Sequence, residues 1–271
     1  GYENASISPD GRFAAVQTQG PAITIWIYDF ARTTLTPLTS GGSSQAPLWT
    51  PDGKRIAYRG TRLGFRNVYW KAADGSGDEE RLTVSDNTHT PVSWTPDGKW
   101  LAFTELNPST SGDAWVLPMD GDRKSRLFLK NARQPHFSSD GRWIAYESDE
   151  SGRTEIYVRP FQGSGAKTQV STDGGAEPVW SRDGRELFYI NGDKTMAVDI
   201  QASPAFSAGT PHALFAGRYL PSPNGVSGYD ISPDGKRFLK VQPMNPEQAG
   251  SQINIVIDWF EELMRVAAGK R

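Results

Sequence analysis

The sequence predicts an all-β protein, a six-bladed β-propeller of four-stranded antiparallel blades, and three observations lead to it. A Ser/Thr-x-Asp-Gly turn recurs six times in 271 residues, the turns are 42 to 51 residues apart, and an apolar strand follows each turn. A repeat of about 40–50 residues is typical of one four-stranded propeller blade. The six turns are 8–11, 50–53, 95–98, 138–141, 181–184 and 232–235. One domain over 1–271 is expected, with blades at about 1–40, 41–84, 85–130, 131–172, 173–217 and 218–258.

Each repeat contains the same succession of strands around its turn. In the fourth repeat, Phe137 ends a first strand, Trp143–Tyr146 begins a second, Glu155–Val158 forms a third and Gln169–Ser171 a fourth. Proline, aspartate and glycine suit the tight turn between the first two strands. A large apolar residue precedes every turn, and we expect these side chains to pack between adjacent blades. They are Ile7, Trp49, Trp94, Phe137, Trp180 and Ile231. The tryptophans and turn aspartates are therefore interpreted as structural.

The last repeat departs from the pattern. Loop-rich insertions at 201–209 and 220–228 lengthen the spacing between the fifth and sixth turns, and such loops often form binding surfaces. The last repeat offers strands at 237–241 and 253–257 but no clear fourth strand, so this blade is predicted to be incomplete. It is either three-stranded or completed by residues that precede Gly1. Helical spacing then predicts a short C-terminal helix at 258–267, with Asp258 as its N-cap.

Composition excludes several functions. The net charge is −2, so no bulk positive charge favours nucleic acid or an anionic membrane. The chain has no cysteine, which excludes disulfides and thiolate chemistry, and no apolar run long enough for a membrane helix. We expect a monomer without direct membrane insertion.

The repeats resemble the TolB-like β-propeller family, whose repeats read as a strand, Ser-Pro-Asp-Gly-Lys/Arg and an Ile-Ala-Tyr/Phe strand. More narrowly, 155–161, 169–189 and 254–263 resemble the C-terminal propellers of bacterial membrane-anchored serine/threonine protein kinases. That resemblance implies a periplasmic sensor or interaction domain of a larger signalling protein. The chain itself contains no kinase motif. It also lacks the Gly-x-Ser-x-Gly elbow of the propeller-bearing peptidases, because Gly225–Tyr229 departs from it at the fifth position.

The candidate binding site is the mouth of the central channel where the innermost strands begin. Aligning the repeats there predicts a polar ring of mixed charge, suited to a small molecule, a peptide or a protein partner. Its members are Glu3, Gln45, His89, Thr90, Arg133, Glu177 and Tyr229. The first hypothesis is a non-catalytic sensor or interaction propeller that uses this ring and the loops around 201–228.

The alternative is a hydrolase of esters, lactones or phosphotriesters that depends on a divalent cation. Calcium takes six to eight oxygen ligands, and Glu3, Asn4, Glu177 and Asp230 are the weak candidates for a Ca²⁺ site in the channel. His89 or His136 would then act as a base near neutral pH. No pair of residues shows the spacing of a zinc site. Stoichiometric metal with turnover would distinguish this hypothesis from the first.

Overall fold

The structure is a computed structural model that describes residues 2–62, 64–163, 165–202, 205–217, 225–240 and 255–256. These residues form antiparallel sheets in which the strands follow one another in chain order. Blade one comprises β1 (Tyr2–Ile7), β2 (Phe13–Thr18), β3 (Ile25–Asp29) and β4 (Thr34–Pro37). Blade two comprises β5 (Ser43–Trp49), β6 (Arg55–Arg62), β7 (Phe65–Ala72) and β8 (Glu80–Arg81). Blade three comprises β9 (Thr88–Trp94), β10 (Trp100–Leu106), β11 (Asp113–Pro118) and β12 (Arg126–Leu129).

The second half of the chain continues the pattern. Blade four comprises β13 (Arg133–Phe137), β14 (Trp143–Ser148), β15 (Glu155–Pro160) and β16 (Thr168–Gln169). Blade five comprises β17 (Ala176–Trp180), β18 (Glu186–Asn191), β19 (Lys194–Gln201), β20 (Ser207–Ala208) and β21 (His212–Ala216), with β20 and β21 both paired to β19. The sixth sheet comprises β22 (Tyr229–Ile231), β23 (Phe238–Lys240) and β24 (Ile255–Val256).

The prediction of a propeller built from four-stranded antiparallel blades is confirmed, but the count of complete blades is five, not six. The sixth repeat forms a sheet of three strands in the described part of the chain. Among the described residues β24 pairs with β23, whereas β3 of blade one pairs with both β2 and β4. None of the described residues is helical, and the predicted helix at 258–267 lies outside them.

Apolar side chains pack between adjacent sheets, as the repeats predict. Trp49 packs with Ile25 and Tyr58 between blades one and two, and Trp180 packs between blades four and five. The sixth sheet is held on both sides. Phe238 packs into blade five, and Leu239 packs against Ile7 and neighbouring residues of blade one.

The recurring turn fixes where each innermost strand ends. In blade one, the Oγ of Ser8 donates to Oδ1 of Asp10 over 2.6 Å, and the same oxygen accepts from the Arg12 N–H over 3.0 Å. Gly11 has a φ of 72°, a conformation that favours glycine. The turns of the other repeats have the same Ser/Thr–Asp hydrogen bond. The turn aspartates therefore have the structural role that the sequence predicts.

The insertion after β19 contributes to the core. Phe206 lies between Trp143 and Trp180, with ring centroids 4.9 and 6.3 Å away, and the insertion adds β20 to the edge of blade five. Its described part is thus packed on the propeller and not a free loop. No helix among the described residues is long and apolar enough to cross a membrane.

Candidate functional site

The innermost strands β1, β5, β9, β13, β17 and β22 surround a central channel. At the end nearest the turns, the channel widens into a cavity of about 330 Å³ to which all six strands contribute. The residue that precedes the large apolar position of each repeat lines it. These residues are Ser6, Leu48, Ser93, His136, Val179 and Asp230. The candidate ring lies at the opposite end, where the same strands begin.

Hydrogen bonds from the second strand of one blade to the first strand of the next position the ring. The Gln17 side chain, on β2, donates to Glu3 and accepts from the Ala46 N–H of β5 over 2.9 Å. In the same way, the Thr104 hydroxyl of β10 accepts from the Gln134 N–H over 3.0 Å. Ala46 and Gln134 both have a positive φ, at 56° and 49°. A β-bulge at each of these positions turns the N–H toward the preceding blade.

Arg59 joins blades two and three at the ring. Its guanidinium donates to the Gln45 Oε1 from Nε over 3.0 Å and to the Thr90 Oγ1 from Nη1 over 3.1 Å. The side chain is buried, and burial lowers the pKa of Arg59 to about 10, while Glu3 opposes that shift. Gln45 and Thr90 are thus brought together, as predicted, through an arginine that the aligned first strands do not include.

Arg133, Glu147 and Glu177 form the next part of the ring, across blades four and five. The Nε of Arg133 lies 3.3 Å from Oε2 of Glu147, and Oε1 of Glu147 accepts from the Glu177 N–H over 2.7 Å. Burial raises the pKa of Glu147, against the effects of the Glu177 N–H and Arg133. Glu177 has a φ of 58°, which is unfavourable for a residue with a Cβ. Its strained backbone is therefore stabilised by a buried carboxylate of the preceding blade.

Glu177 also connects blade five to the sixth sheet. Its Oε2 accepts from the Gly228 N–H over 2.6 Å, and its backbone carbonyl accepts from the Tyr229 hydroxyl over 2.9 Å. Tyr229 is buried, so it contributes packing and this one hydrogen bond.

Lys240 is a buried cation beside Glu177 and Tyr229. Its Nζ donates to the Thr195 Oγ1 over 2.6 Å and lies 5.1 Å from the centre of the Tyr229 ring. Burial lowers the pKa of Lys240 to about 8, and the charge of Glu177 opposes that shift. The cation faces aromatic rings and oxygen atoms, which replace part of its hydration.

His89 contributes less to the ring surface than predicted. It is buried, its Nε2 lies 2.7 Å from Oε2 of Glu105 in the same blade, and its ring centroid is 4.7 Å from that of Phe103. Burial lowers the pKa of His89, against the effect of Glu105. Its environment is that of a core histidine with a buried carboxylate partner.

Ser227 reaches across the channel from the segment that leads into β22. Its Oγ lies 3.3 Å from Oε1 of Gln134 and 3.5 Å from Nε2 of His136, both on blade four. His136 therefore faces the channel. Burial lowers the pKa of His136 to about 4, so the imidazole is neutral at pH 7.

The four metal candidates do not form one cluster. Asp230 accepts from the backbone N–H groups of Ile7 and Ile231, each over 2.7 Å, at the turn end of the channel. Glu3 and Glu177 have the ring partners given above. In the part of the chain that the structure describes, no three His, Asp or Glu side chains are grouped to hold a metal ion.

The structure thus joins the predicted ring through residues that sequence reasoning missed. Four of them, Gln17, Arg59, Thr104 and Glu147, occupy one repeat position on the second strand, seven residues after the turn aspartate, whereas the fifth, Lys240, lies one position earlier in its repeat. That position directly follows an Ala-aromatic pair in the second, third and fourth repeats and Ala15-Val16 in the first, so aligning it would have found four of the five residues.

Comparison with known proteins supports the fold. No family model matches the chain. A TolB protein from Agrobacterium tumefaciens has a TM-score of 0.71 and 18% identity, covering 86% of this chain and 87% of that one. TolB from Acinetobacter baumannii has a TM-score of 0.67 and 19% identity, over 90% of this chain and 58% of that one. The chain has a TolB-like β-propeller fold.

Sequence relatives differ in size and activity. An uncharacterized protein of Agrobacterium fabrum is 29% identical over 68% of each chain. A tricorn protease homolog of Streptomyces coelicolor is 33% identical over 65% of this chain but 15% of its own length. Dipeptidyl-peptidase 5 of Trichophyton equinum is 32% identical over 58% of this chain and 20% of its own length. The chain therefore matches only a small part of the two peptidases.

Proposed function

We propose that this chain is a non-catalytic binding propeller whose ring recognises a small zwitterion or the charged end of a peptide or protein. The proposal depends on one observation: charged side chains of both signs are held at the mouth of the central channel where the innermost strands begin. Glu3, Arg133 and Glu177 lie on three different blades, and each keeps part of its surface exposed to solvent. Side chains held in advance by hydrogen bonds lose little entropy when a ligand binds.

The rigidity of the ring supports the same proposal. Gln17, Arg59 and Glu147 are buried and each bonds to the next blade, so the ring cannot rearrange one residue at a time. The three-stranded sheet completes this arrangement as a sixth, shorter blade between blades five and one, in contact with both.

We also propose that the chain is part of a larger protein. By its resemblance to the propellers of membrane-anchored kinases, the chain would be the periplasmic sensor part of a larger signalling protein. The relatives described above do not include a kinase, and they include two peptidases. A binding role does not depend on which catalytic domain accompanies the propeller in a longer protein.

Dipeptides with free termini, compared with their N-acetylated and C-amidated forms, test the ring. We expect the free dipeptides to raise the melting temperature and both blocked forms to do so less, because each loses one charge. Glu177→Gln and Arg133→Gln should weaken binding at least about fivefold. Glu150→Gln, in an exposed pair with Lys167 outside the ring, is the matched control and should bind normally.

Two results would contradict the proposal. One is the absence of any dipeptide effect that the ring variants change. The other is hydrolysis of an ester or lactone that is lost in Ser227→Ala or on removal of divalent metal, since Ser227 and His136 are in contact in the channel. That result would favour the hydrolase hypothesis.

A further inference from the structure

A groove of about 480 Å³ separates blades one and two on the side of the propeller where the turns lie. Its volume is within the range of small-molecule sites, about 300–1,000 Å³. It is distinct from the ring, because it lies between blades and not in the channel. Its side walls are the turns of the first two repeats and the loop after β7.

The inner wall of the groove is apolar. Phe13 and Trp49 lie nearly parallel there, with ring centroids 6.4 Å apart, and Leu38, Pro37 and Ile27 continue the surface. Aromatic faces bind flat apolar groups and also attract cations.

Three exposed carboxylates stand around this apolar surface: Asp10, Asp52 and Asp74. Each uses Oδ1 to accept the hydrogen bonds of its own turn. Within the described residues, no hydrogen bond reaches the Oδ2 of any of the three, and no lysine or arginine lines the groove. The hydrogen bonds from Ser8 and Ser76 lower the pKa of Asp10 and of Asp74, which keeps both carboxylates ionised at neutral pH.

The other repeats neutralise the same turn aspartate. Asp97, Asp140, Asp183 and Asp234 each lie within 4.0 Å of a cation of their own turn. Asp10 and Asp52 form no salt bridge among the described residues. Arg12, which could pair with Asp10, instead lies over the Phe13 ring at 5.3 Å. These two aspartates, which flank the groove, thus lack a salt bridge, although the charges of Arg12 and Lys54 still lower their pKa values.

A second groove of about 490 Å³, between blades three and four, provides an internal comparison. It also has two turn aspartates and aromatic walls, but Arg142 lines it and binds Asp140 over 2.7 Å. Of these two grooves, the first therefore has more negative charge without a salt bridge.

We propose that the groove between blades one and two binds a small organic cation with a flat apolar body, such as an aromatic amine. The apolar body would lie against Phe13, Ile27 and Pro37, which keep exposed surface, whereas Trp49 behind them is only 6% exposed. The ammonium or guanidinium group would lie among the free Oδ2 atoms of the three aspartates. Charge complementarity selects the cation over a neutral or acidic molecule, and the limited volume of the groove selects a small ligand.

Calorimetric titration with tryptamine and with tryptophol, which has the same indole but no charge, tests the proposal at pH 7 and low salt. We expect tryptamine to bind at one site, at least about tenfold more tightly than tryptophol, and less tightly as salt screens the carboxylates. Asp52→Asn keeps the hydrogen-bond acceptor of the turn and should weaken tryptamine binding at least about fivefold. Asp97→Asn, at the same turn position beside the second groove, should change the affinity for tryptamine less than about twofold.

Asp74→Asn provides a second variant outside the repeated turn if Asp52→Asn does not fold. Equal affinity for tryptamine and tryptophol, an equal effect of Asp97→Asn, or no saturable binding of tryptamine would each overturn the proposal. Dimerisation that tryptamine does not affect and that Asp52→Asn abolishes would assign the groove to a second copy of the chain and would likewise overturn it.

Discussion

The backbone N–H of Ile7 donates a hydrogen bond to Oδ2 of Asp230 over 2.7 Å, although the two residues are 223 positions apart. This bond joins the innermost strand of blade one to that of the sixth sheet, and Leu239 packs against Ile7 and Val16 beside it. The ring of sheets is therefore closed by a half-buried carboxylate together with apolar packing.

Replacing Asp230 tests how much this closure stabilises the propeller. In Asp230→Ala, the Ile7 and Ile231 N–H groups both lose their acceptor, and a buried donor without a partner costs about 1–3 kcal/mol. We expect the free energy of unfolding, measured in urea, to fall by about 2–4 kcal/mol. Asp230→Asn keeps one acceptor and should lose about half as much. Equal stability of the alanine variant and the native chain would contradict this role.

Trp180 and Trp94 occupy the same repeat position but differ in one hydrogen bond. The Trp180 Nε1–H donates to the His136 carbonyl over 3.0 Å, while the Trp94 Nε1 is buried without a partner in the described structure. Trp180→Phe should therefore destabilise the protein by about 1 kcal/mol more than Trp94→Phe, which removes a similar apolar area. Chemical denaturation of both variants measures the difference, and equal losses would show that the hydrogen bond has no net effect.

Ala46 is a non-glycine residue in the left-handed region, with a φ of 56°. A Cβ in that conformation costs about 1–2 kcal/mol, which offsets the loss of one buried methyl group in Ala46→Gly. We expect the melting temperature of Ala46→Gly to be unchanged or slightly higher. Ala57→Gly, in the buried and regular part of β6, is the control and should lower stability by about 1–2 kcal/mol. A similar loss in both variants would contradict the strain argument.

His136 should make stability depend on pH between about 4 and 6.5. Burial depresses its pKa to about 4 from an ordinary value of 6.5, so in this range the unfolded chain binds more protons than the folded one. Stability therefore rises with pH through this window and is lost as the pH falls toward 4. We expect His136→Gln to flatten the profile of unfolding free energy against pH in that range. His212→Gln, at an exposed histidine of β21, should leave the profile unchanged.

The NMR shift of the His136 ring carbons gives an independent measurement of the same prediction. A titration midpoint near 6.5 in the folded protein would contradict it, because the imidazole would then be as well solvated as in the unfolded chain.

Most of the fold is predictable from the repeats. The recurrence of the turn around Asp10 and its counterparts predicts where each innermost strand ends, and the apolar residue before each turn predicts the packing between blades. The single incomplete sheet follows from the missing fourth strand of the last repeat. The packing of Phe206 between Trp143 and Trp180 was not predicted, because the residues around it have the composition of a loop.

The candidate site was predictable only in part. Gln45 and Arg133 were predicted from the position four residues before the large apolar residue of the first strand, and Glu177 from the position three residues before it. Their partners Arg59 and Glu147 lie on second strands and also bond to the next blade. His89, five residues before Trp94, was predicted from the same alignment, but its side chain contacts Glu105 within its own blade. The polar partner of a side chain depends on the distance between neighbouring sheets. The spacing of the repeats does not predict that distance.

Local turn chemistry and strand alternation act within a few residues and recur at blade spacing, so the amino-acid sequence was enough to predict a propeller. The neutralisation of individual charges depends instead on the folded arrangement. Arg12 lies over Phe13 while Arg142 binds Asp140, and Asp230 is used for ring closure. Electrostatic and hydrogen-bonding partners are set by distances of a few ångströms between segments that the chain brings together only when it folds.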